Sequence, residues 1–436
     1  MKLAVIADDL TGANDTGVQF AKKGLNTTVL FAHTQLQPSH FNEDVIVLNS
    51  DSRALGAEQA YEAVYQLSRQ LENLGAGNIF KKIDSTMRGN IGPEIDAVMD
   101  VFNYTTSFVV PAFPKSNRTT VQGKHYVNGV LLEETEIAHD PACPVKESYL
   151  PKLLQEQSKR EVQLISIDDV KKGKNHLSQV MKNVSSGEGS NIIIVDAAAD
   201  EDLEIIVEAA ESLEKKALWV GSAGIAYHLF GTDESQEPEA APQAGERDPV
   251  LLVAGSVKSI TEDQIQYLKE TNHVAEIVLS PEEFFFANKR KLEIERIVKT
   301  GQELLDKGDL VVSTDRRQET IAKVKELQQT LGLTNFEVGH TIAEAMGEIA
   351  GRLIESRSIC GAVLTGGDIA GEACKVLNGE GIRVIGEVEA GIPYGKLFGG
   401  SFDGLPLVTK AGAFGTEKAF AKALQTLTQA DSHVKS

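Results

Sequence analysis

The chain alternates short apolar runs with longer stretches of helical periodicity. In its first half the apolar runs fall at Leu3–Ala7, Thr28–Phe31, Val45–Leu48, Ile79–Ile83, Phe108–Val110, Leu164–Ile167, Ile192–Val195 and Leu218–Val220. They are short, nearly unbroken and rich in Val and Ile, the pattern of strands covered on both faces. Between them, apolar residues at helical spacing predict helices at about Thr11–Lys23, Ala57–Leu74, Pro93–Phe102, Asp169–Asn183 and Glu201–Glu214. The second half continues in the same way. Its runs are Val250–Ala254, Glu276–Leu279, Leu310–Ser313, Gly361–Leu364, Arg383–Ile385 and Leu407–Thr409, interleaved with helices around Ile260–Thr271, Glu319–Leu331, Ala343–Arg357 and Glu417–Thr428. Apolar strands joined by helices predict an α/β fold with mostly parallel sheets and flanking helices.

One segment breaks the alternation. Gly231 to Asp248, GTDESQEPEAAPQAGERD, has no apolar period and is rich in Glu, Pro, Ala and Gly, the composition of a solvated linker. The reading is two domains, residues 1–230 and 249–436, each with its own mostly parallel sheet and flanking helices, joined by a flexible acidic linker at 231–248. A length of 436 residues is compatible with two or three domains.

Charge narrows the classes of partner. Against 43 Lys and Arg stand 63 Asp and Glu, a net charge of −20. A nucleic-acid coat or a binder of anionic membranes relies on basic surface, so neither partner is expected. Three cysteines, Cys143, Cys360 and Cys374, show no CxxC spacing, so neither a disulfide framework nor a cysteine zinc site is expected. Acidic Asp8 and Asp9 come too early for a signal-peptide core, and no apolar run approaches a membrane span. A reducing cytoplasm is the expected compartment.

In open α/β sheets, ligands gather beyond the carboxyl ends of the strands. The first run here exits into Asp8-Asp9-Leu10-Thr11-Gly12, the third into Asn49-Ser50-Asp51-Ser52-Arg53, and the fourth into Lys82-Ile83-Asp84-Ser85-Thr86-Met87-Arg88. One of Asp8 and Asp9 suits an N-cap, which leaves the other for a base or a metal partner. Arg53 and Arg88 carry forks suited to a carboxylate. Three strand ends that together supply Asp, Arg, Lys, Ser and Thr fit a small polyhydroxy acid.

The second half differs. Its strand ends, Ala254-Gly255-Ser256, Thr365-Gly366-Gly367-Asp368 and Lys410-Ala411-Gly412-Ala413-Phe414-Gly415, are glycine-rich and lead into helices. Glycine admits a phosphate to the backbone, and helix N-termini favour anions, so these loops fit a nucleotide cradle. There is no GxxxxGK[ST], no GxGxxG after the first strand, no GxSxG and no HExxH. His125, His139 and His340 read as structural or surface residues, and Phe284, Phe285 and Phe286 as core or interface. One acid-reading domain beside one phosphate-cradling domain points to a transferase.

The same residues resemble the four-carbon acid sugar kinase family nearly end to end. The resemblance is carried by IADDLTGANDTGVQFAKKG, NSDSR, KKIDSTMRGNIGPE, VVPAFP and NRTTVQGKHYVNGVLLEETE in the first half, and by AGSVKSITEDQI, LTGGDIAGE, GEVEAGIPYG and VTKAGAFG in the second. It implies ATP-dependent phosphorylation of the terminal hydroxyl of an acid sugar such as D-threonate, D-erythronate or 3-oxo-tetronate. The NDTGVQFAKKG continuation looks most like the D-threonate branch. By motif, substrate would meet Asp8, Arg53, Lys82, Ile83, Ser85 and Arg88, and ATP would meet Ser256, Gly366, Gly367, Asp368 and Gly412. Arg53, with Lys82 or Arg88, would clamp the substrate carboxylate. Asp9 would be the base, with Asp84 the second choice. Mg²⁺ would bridge the phosphates, Asp368 being one contact. Three residues depart from the family pattern: Asn117, Ile369 and Ala413. A homodimer and closure about the linker are further expectations; a nicotinamide-dependent sugar-acid dehydrogenase is the rival class that the missing GxGxxG disfavours.

Overall fold

The computed structural model describes residues 1–140, 142–186, 191–211, 213, 216–229, 247–255, 259–412 and 414–431. Most of the expected linker and Ser256 lie outside the described residues. The chain divides into two compact units, Met1–Ser235 and Gln236–Ser436.

The first unit contains strands β1 (Leu3–Ala7), β2 (Thr27–Leu30), β3 (Val45–Asn49), β4 (Ile79–Lys82), β5 (Thr106–Val110), β6 (Arg118–Val121), β7 (Lys124–Val127), β8 (Val130–Leu131), β9 (Glu161–Ile165), β10 (Asn191–Val195) and β11 (Leu218–Gly221). Its helices are α1 (Leu10–Ala21), α2 (Ala57–Asn73), α3 (Ile91–Phe102), α4 (Leu150–Gln157), α5 (Ile167–Val170), α6 (Lys174–Ser185), α7 (Asp200–Ala210) and α8 (Ala223–His228). Strands pair in the order β2-β3-β1-β4-β11-β5-β10-β9, all parallel. Every residue of β1, β3 and β4 is buried, as strands covered on both faces require.

The second unit contains β12 (Val250–Ala254), β13 (Val274–Leu279), β14 (Asp309–Thr314), β15 (Gly361–Thr365), β16 (Gly381–Glu389), β17 (Ile392–Phe398) and β18 (Pro406–Lys410). Its helices are α9 (Ser259–Thr271), α10 (Ala287–Leu305), α11 (Gln318–Leu331), α12 (Asn335–Ser356), α13 (Gly367–Val376) and α14 (Ala419–Asp431). The order is β13-β14-β12-β15-β18-β17-β16, parallel through β18 and antiparallel beyond it. A core of Leu252, Ile265, Leu268, Val363, Phe420 and Leu427 packs α9 and α14 against this sheet. Each unit is therefore α/β with a mostly parallel sheet and flanking helices.

Several elements differ from the periodicity reading. The helix expected at Asp169–Asn183 is two, because Gly173 at φ +90° breaks it before α6. The run at Arg383–Ile385 is the middle of the long strand β16, which turns at Gly391 (φ +76°) into β17. The nineteen-residue α10, ANKRKLEIERIVKTGQELL, escaped because its charged residues outnumber a single buried stripe of Ile294, Ile297, Val298, Gly301 and Leu305. β6, β7 and β8 form a small antiparallel ribbon, entered through Asn117 at φ +56°. Asn is among the few side chains that accept that conformation, so the departure from the family pattern at Asn117 is sterically accommodated. Of the three clustered phenylalanines, Phe284 is buried and Phe286 is exposed. Among the described residues no helix is long and apolar enough to cross a membrane.

Candidate active site

In the first unit the charged side chains gather in the loops that follow the buried strands. β3, β1 and β4 are neighbours, so their exit loops lie side by side. Backbone bonds knit them: the amides of Ser52 and Arg53 donate to the Asp8 carbonyl at 3.0 and 3.2 Å. The Asn90 side-chain amide bridges to the carbonyls of Ser52 (3.1 Å) and Leu55 (2.8 Å).

Asp9 is the N-cap of α1, accepting from the Gly12 amide at 2.8 Å. Arg53 reaches back across the site. Its Nε donates to Asp8 Oδ2 at 2.6 Å, while Nη1 and Nη2 grip the two Asp9 oxygens at 2.7 Å each. The fork expected to clamp a substrate carboxylate is therefore filled by Asp9. Each terminal nitrogen of Arg53 keeps one further N–H. Asp84 accepts from Thr86 and from Arg88 Nε (2.7 Å), and Arg88 extends to Asp140 at 3.3 Å.

The three carboxylates differ in basicity. Burial pushes Asp9 above the usual carboxylate range, helped by neighbouring Asp8 and Asp84 and opposed by Arg53. At Asp8, Arg53 and the two adjacent lysines outweigh burial and hold the carboxyl low. At Asp84 the paired guanidiniums of Arg53 and Arg88 likewise overcome burial and hold it well below its ordinary value. Asp8 Oδ1 is buried without a hydrogen-bond partner among the described residues.

Lys82 donates to the Ile83 carbonyl at 2.8 Å. A Cβ on Gly12 would stand 2.6 Å from Lys82 Nζ and 2.7 Å from Asp9 Oδ1, so only glycine admits both groups. Ile83 itself is a core residue. Its side chain is fully buried, its amide bonds Gly221, and its carbonyl is taken by Lys82, so substrate cannot meet it through the side chain. The Ser85 carbonyl accepts from His125 Nε2 at 2.8 Å. A carbonyl only accepts, so Nε2 carries the proton and Nδ1 accepts from the Thr120 hydroxyl at 3.0 Å. His125 is buried, and burial pushes it down to about 4, so it is a neutral strut between the ribbon and the Asp84–Arg88 loop.

A second layer escaped the sequence reading. Lys81 and Glu94 form a fully buried ion pair at 2.6 Å, and Ser52 Oγ donates to Glu94 at 2.7 Å. A signal was present: successive strand residues face opposite ways, so two lysines at the end of a buried strand need two separate sets of partners.

In the second unit, Gly366 takes φ +113° at the N-cap of α13, a conformation open to glycine, and its amide donates to the Lys410 carbonyl at 2.8 Å. Gly367 opens the helix, and Asp368 stands exposed in its first turn. Ile369 is buried beneath the cradle: a Cβ on Gly255 would meet its Cδ1 at 2.5 Å. That departure therefore fills space between two glycine loops. Gly412 accepts at its carbonyl from Thr261 Oγ1 at 3.0 Å. Lys410, which opens the last of the glycine loops, is buried, its ammonium donating to the carbonyls of Ala411 (3.0 Å), Gly412 (3.1 Å) and Phe414 (3.1 Å). Asp315, clasped by Arg317 at 2.6 Å, lies in the loop after β14 at the same edge, unforeseen from sequence. No group of three or more metal-ligating side chains occurs among the described residues.

Comparison with known proteins bears on these two units. A sugar-binding N-terminal domain model matches residues 3–229, and a nucleotide-binding C-terminal domain model matches residues 251–420. A D-threonate kinase of Salmonella typhimurium is 38% identical over 97% of this chain and 98% of its own length. A D-erythronate kinase of Heliobacterium modesticaldum is 32% identical over 96% of this chain and 95% of its own. The crystal structure of Haemophilus influenzae protein HI1011 shares the fold, with a TM-score of 0.75 and 24% identity over 97% of this chain and all of that one. With both domain models and full-length relatives in agreement, the chain belongs to the four-carbon acid sugar kinases, phosphotransferases that act on an alcohol group.

Proposed function

We propose that the protein is a D-threonate 4-kinase that uses ATP with Mg²⁺ in the cytoplasm. The observation that carries this is the constellation at the ends of β1, β3 and β4, inside the region matched by the sugar-binding model. Identity to a D-threonate kinase over nearly the whole chain supports that acid as the substrate.

In this reading Asp9 accepts the proton of the C4 hydroxyl. Its raised basicity favours it over Asp84, which the guanidiniums of Arg53 and Arg88 hold well below its ordinary value. Arg53 fixes Asp8 and Asp9, and its remaining N–H groups, with Lys82 and Arg88, face the substrate carboxylate. Ser85 lends its hydroxyl to the same loop. Gly366, Gly367 and Gly412 admit the nucleotide phosphates, and Ser256 is assigned to the nucleotide from its motif alone. The exposed Asp368 would hold Mg²⁺ together with phosphate oxygens, the arrangement this ion prefers when few carboxylates are at hand. When bound, the ion neutralises charge on the transferring phosphoryl group.

The test is a coupled ADP-release assay across D-threonate, D-erythronate, their L-forms and 3-oxo-tetronate. D-threonate should give the highest kcat/KM. A higher value for D-erythronate would reassign the substrate, and no turnover with any four-carbon acid would defeat the reading.

A further inference from the structure

The loop after β18 is held from within. Three of its carbonyls converge on the Lys410 ammonium. From the α9 side, Thr261 binds the Gly412 carbonyl, and Gln264 Nε2 donates to the carbonyls of Phe414 (3.0 Å) and Thr416 (2.9 Å). In a trans peptide the C=O and the following N–H point in opposite directions. With the Ala411 and Phe414 carbonyls drawn inward, the amides of Gly412 and Gly415 point away from Lys410. Gly415 takes φ +85°, and a Cβ there would strike Ile392 at 2.6 Å and Ala419 at 2.8 Å. The Lys410 ammonium also stands 5.4 Å from the Phe420 ring centroid. Among the described residues no carboxylate pairs with it, and its hydrogen bonds all go to backbone carbonyls.

We propose that Lys410 is the positioning residue of the nucleotide cradle, drawing the carbonyls of residues 411, 412 and 414 inward so that the Gly412 and Gly415 amides face the phosphates. This rests on the reading that the second unit takes ATP. A buried lysine that touches no phosphate thus sets the direction of amides that do. Burial pushes its ammonium down to about 8, and the groups facing it from its own loop and from α14 are carbonyls and a phenyl ring. Above that pH the neutral amine has two N–H donors and a lone pair, which cannot hold three carbonyls.

The experiment is titration calorimetry of the full chain with Mg²⁺ and a non-hydrolysable ATP analogue, alongside steady-state kinetics, for the wild type and Lys410→Met. The variant should lose about tenfold or more in nucleotide affinity, with KM for ATP rising more than kcat falls and KM for the acid sugar unchanged. Wild-type KM for ATP should climb above pH 8, while that of Lys410→Met should be flat. If Lys410→Met does not fold, Thr261→Val decides in its place, removing one tie on the Gly412 carbonyl; it should raise KM for ATP by a few-fold. Unaltered nucleotide affinity in a folded Lys410→Met, or equal loss for both substrates, would overturn the role of Lys410 alone. A wild type that binds no nucleotide would overturn the ATP reading as well.

Discussion

Replacing Asp9 by Asn removes a carboxylate and little else. Asn caps a helix as well as Asp does, so the 2.8 Å bond from Gly12 to the cap survives and α1 stays in place. One Asn oxygen replaces one carboxylate oxygen opposite Arg53. The other position becomes an NH₂ group facing Nη1 across 2.7 Å, two donors in contact, so the local packing loses about 1–3 kcal/mol. That is a stability loss, visible in the melting temperature. The catalytic loss is separate. A general base is worth about 10²–10⁴ in rate, or roughly 2.7–5.5 kcal/mol of barrier at about 1.36 kcal/mol per decade. Turnover should therefore fall far more than KM for the acid sugar rises. A pH profile sharpens the assignment. The base must be ionised, and Asp9 sits above its ordinary 3.8, so wild-type kcat/KM should rise with pH through an acid limb that Asp9→Asn lacks. A folded Asp9→Asn enzyme within about threefold of wild-type kcat, or one retaining the acid limb, would refute the assignment.

Arg53→Ala should leave Asp8 buried without its guanidinium and destabilise the first unit by about 3–5 kcal/mol, readable in urea denaturation; wild-type stability would show the ion pair to be dispensable. His125→Phe should lose the tie to the Ser85 carbonyl, lowering stability by about 1–3 kcal/mol and slowing turnover, with ATP affinity unchanged in calorimetry. Asp196 is buried at the end of β10, accepts from the Gly123 and Ile167 amides at 3.0 Å, and is pushed up by burial to about 6. Because its folded value lies above the unfolded 3.8, the folded chain binds more protons between these values, and stability should fall as pH rises from 3.8 to 6. Asp196→Asn should flatten that part of a denaturation-midpoint profile.

What the sequence disclosed follows from where its signals are local. β1, β3 and β12 are apolar runs of strand length, and their buried faces need no information from elsewhere in the chain. The polar strand ends were equally visible, because Asp8 and Asp9 follow β1 directly, and Arg53 and Asp84 stand within a few residues of the ends of β3 and β4. What was hidden is pairing. That Arg53 reserves its fork for Asp9, or that Lys410 turns inward to carbonyls, depends on contacts between segments distant in sequence or on backbone direction, and neither leaves a periodic trace. The ribbon of β6 to β8 escaped for a related reason. Its strands are two to four residues long and largely polar, below the length at which alternation can be read.

The abrupt change from buried strand to polar loop, Ala7 to Asp8 and Asn49 to Ser50, has an evolutionary consequence. In the proposed function, the loop residues assigned to the sugar follow the apolar strands directly in the chain, and the Arg53 pairing with Asp8 and Asp9 bears stability as well. Any retuning of these loops toward a different stereoisomer must keep that pairing, because those buried carboxylates would otherwise lose the guanidinium that holds them.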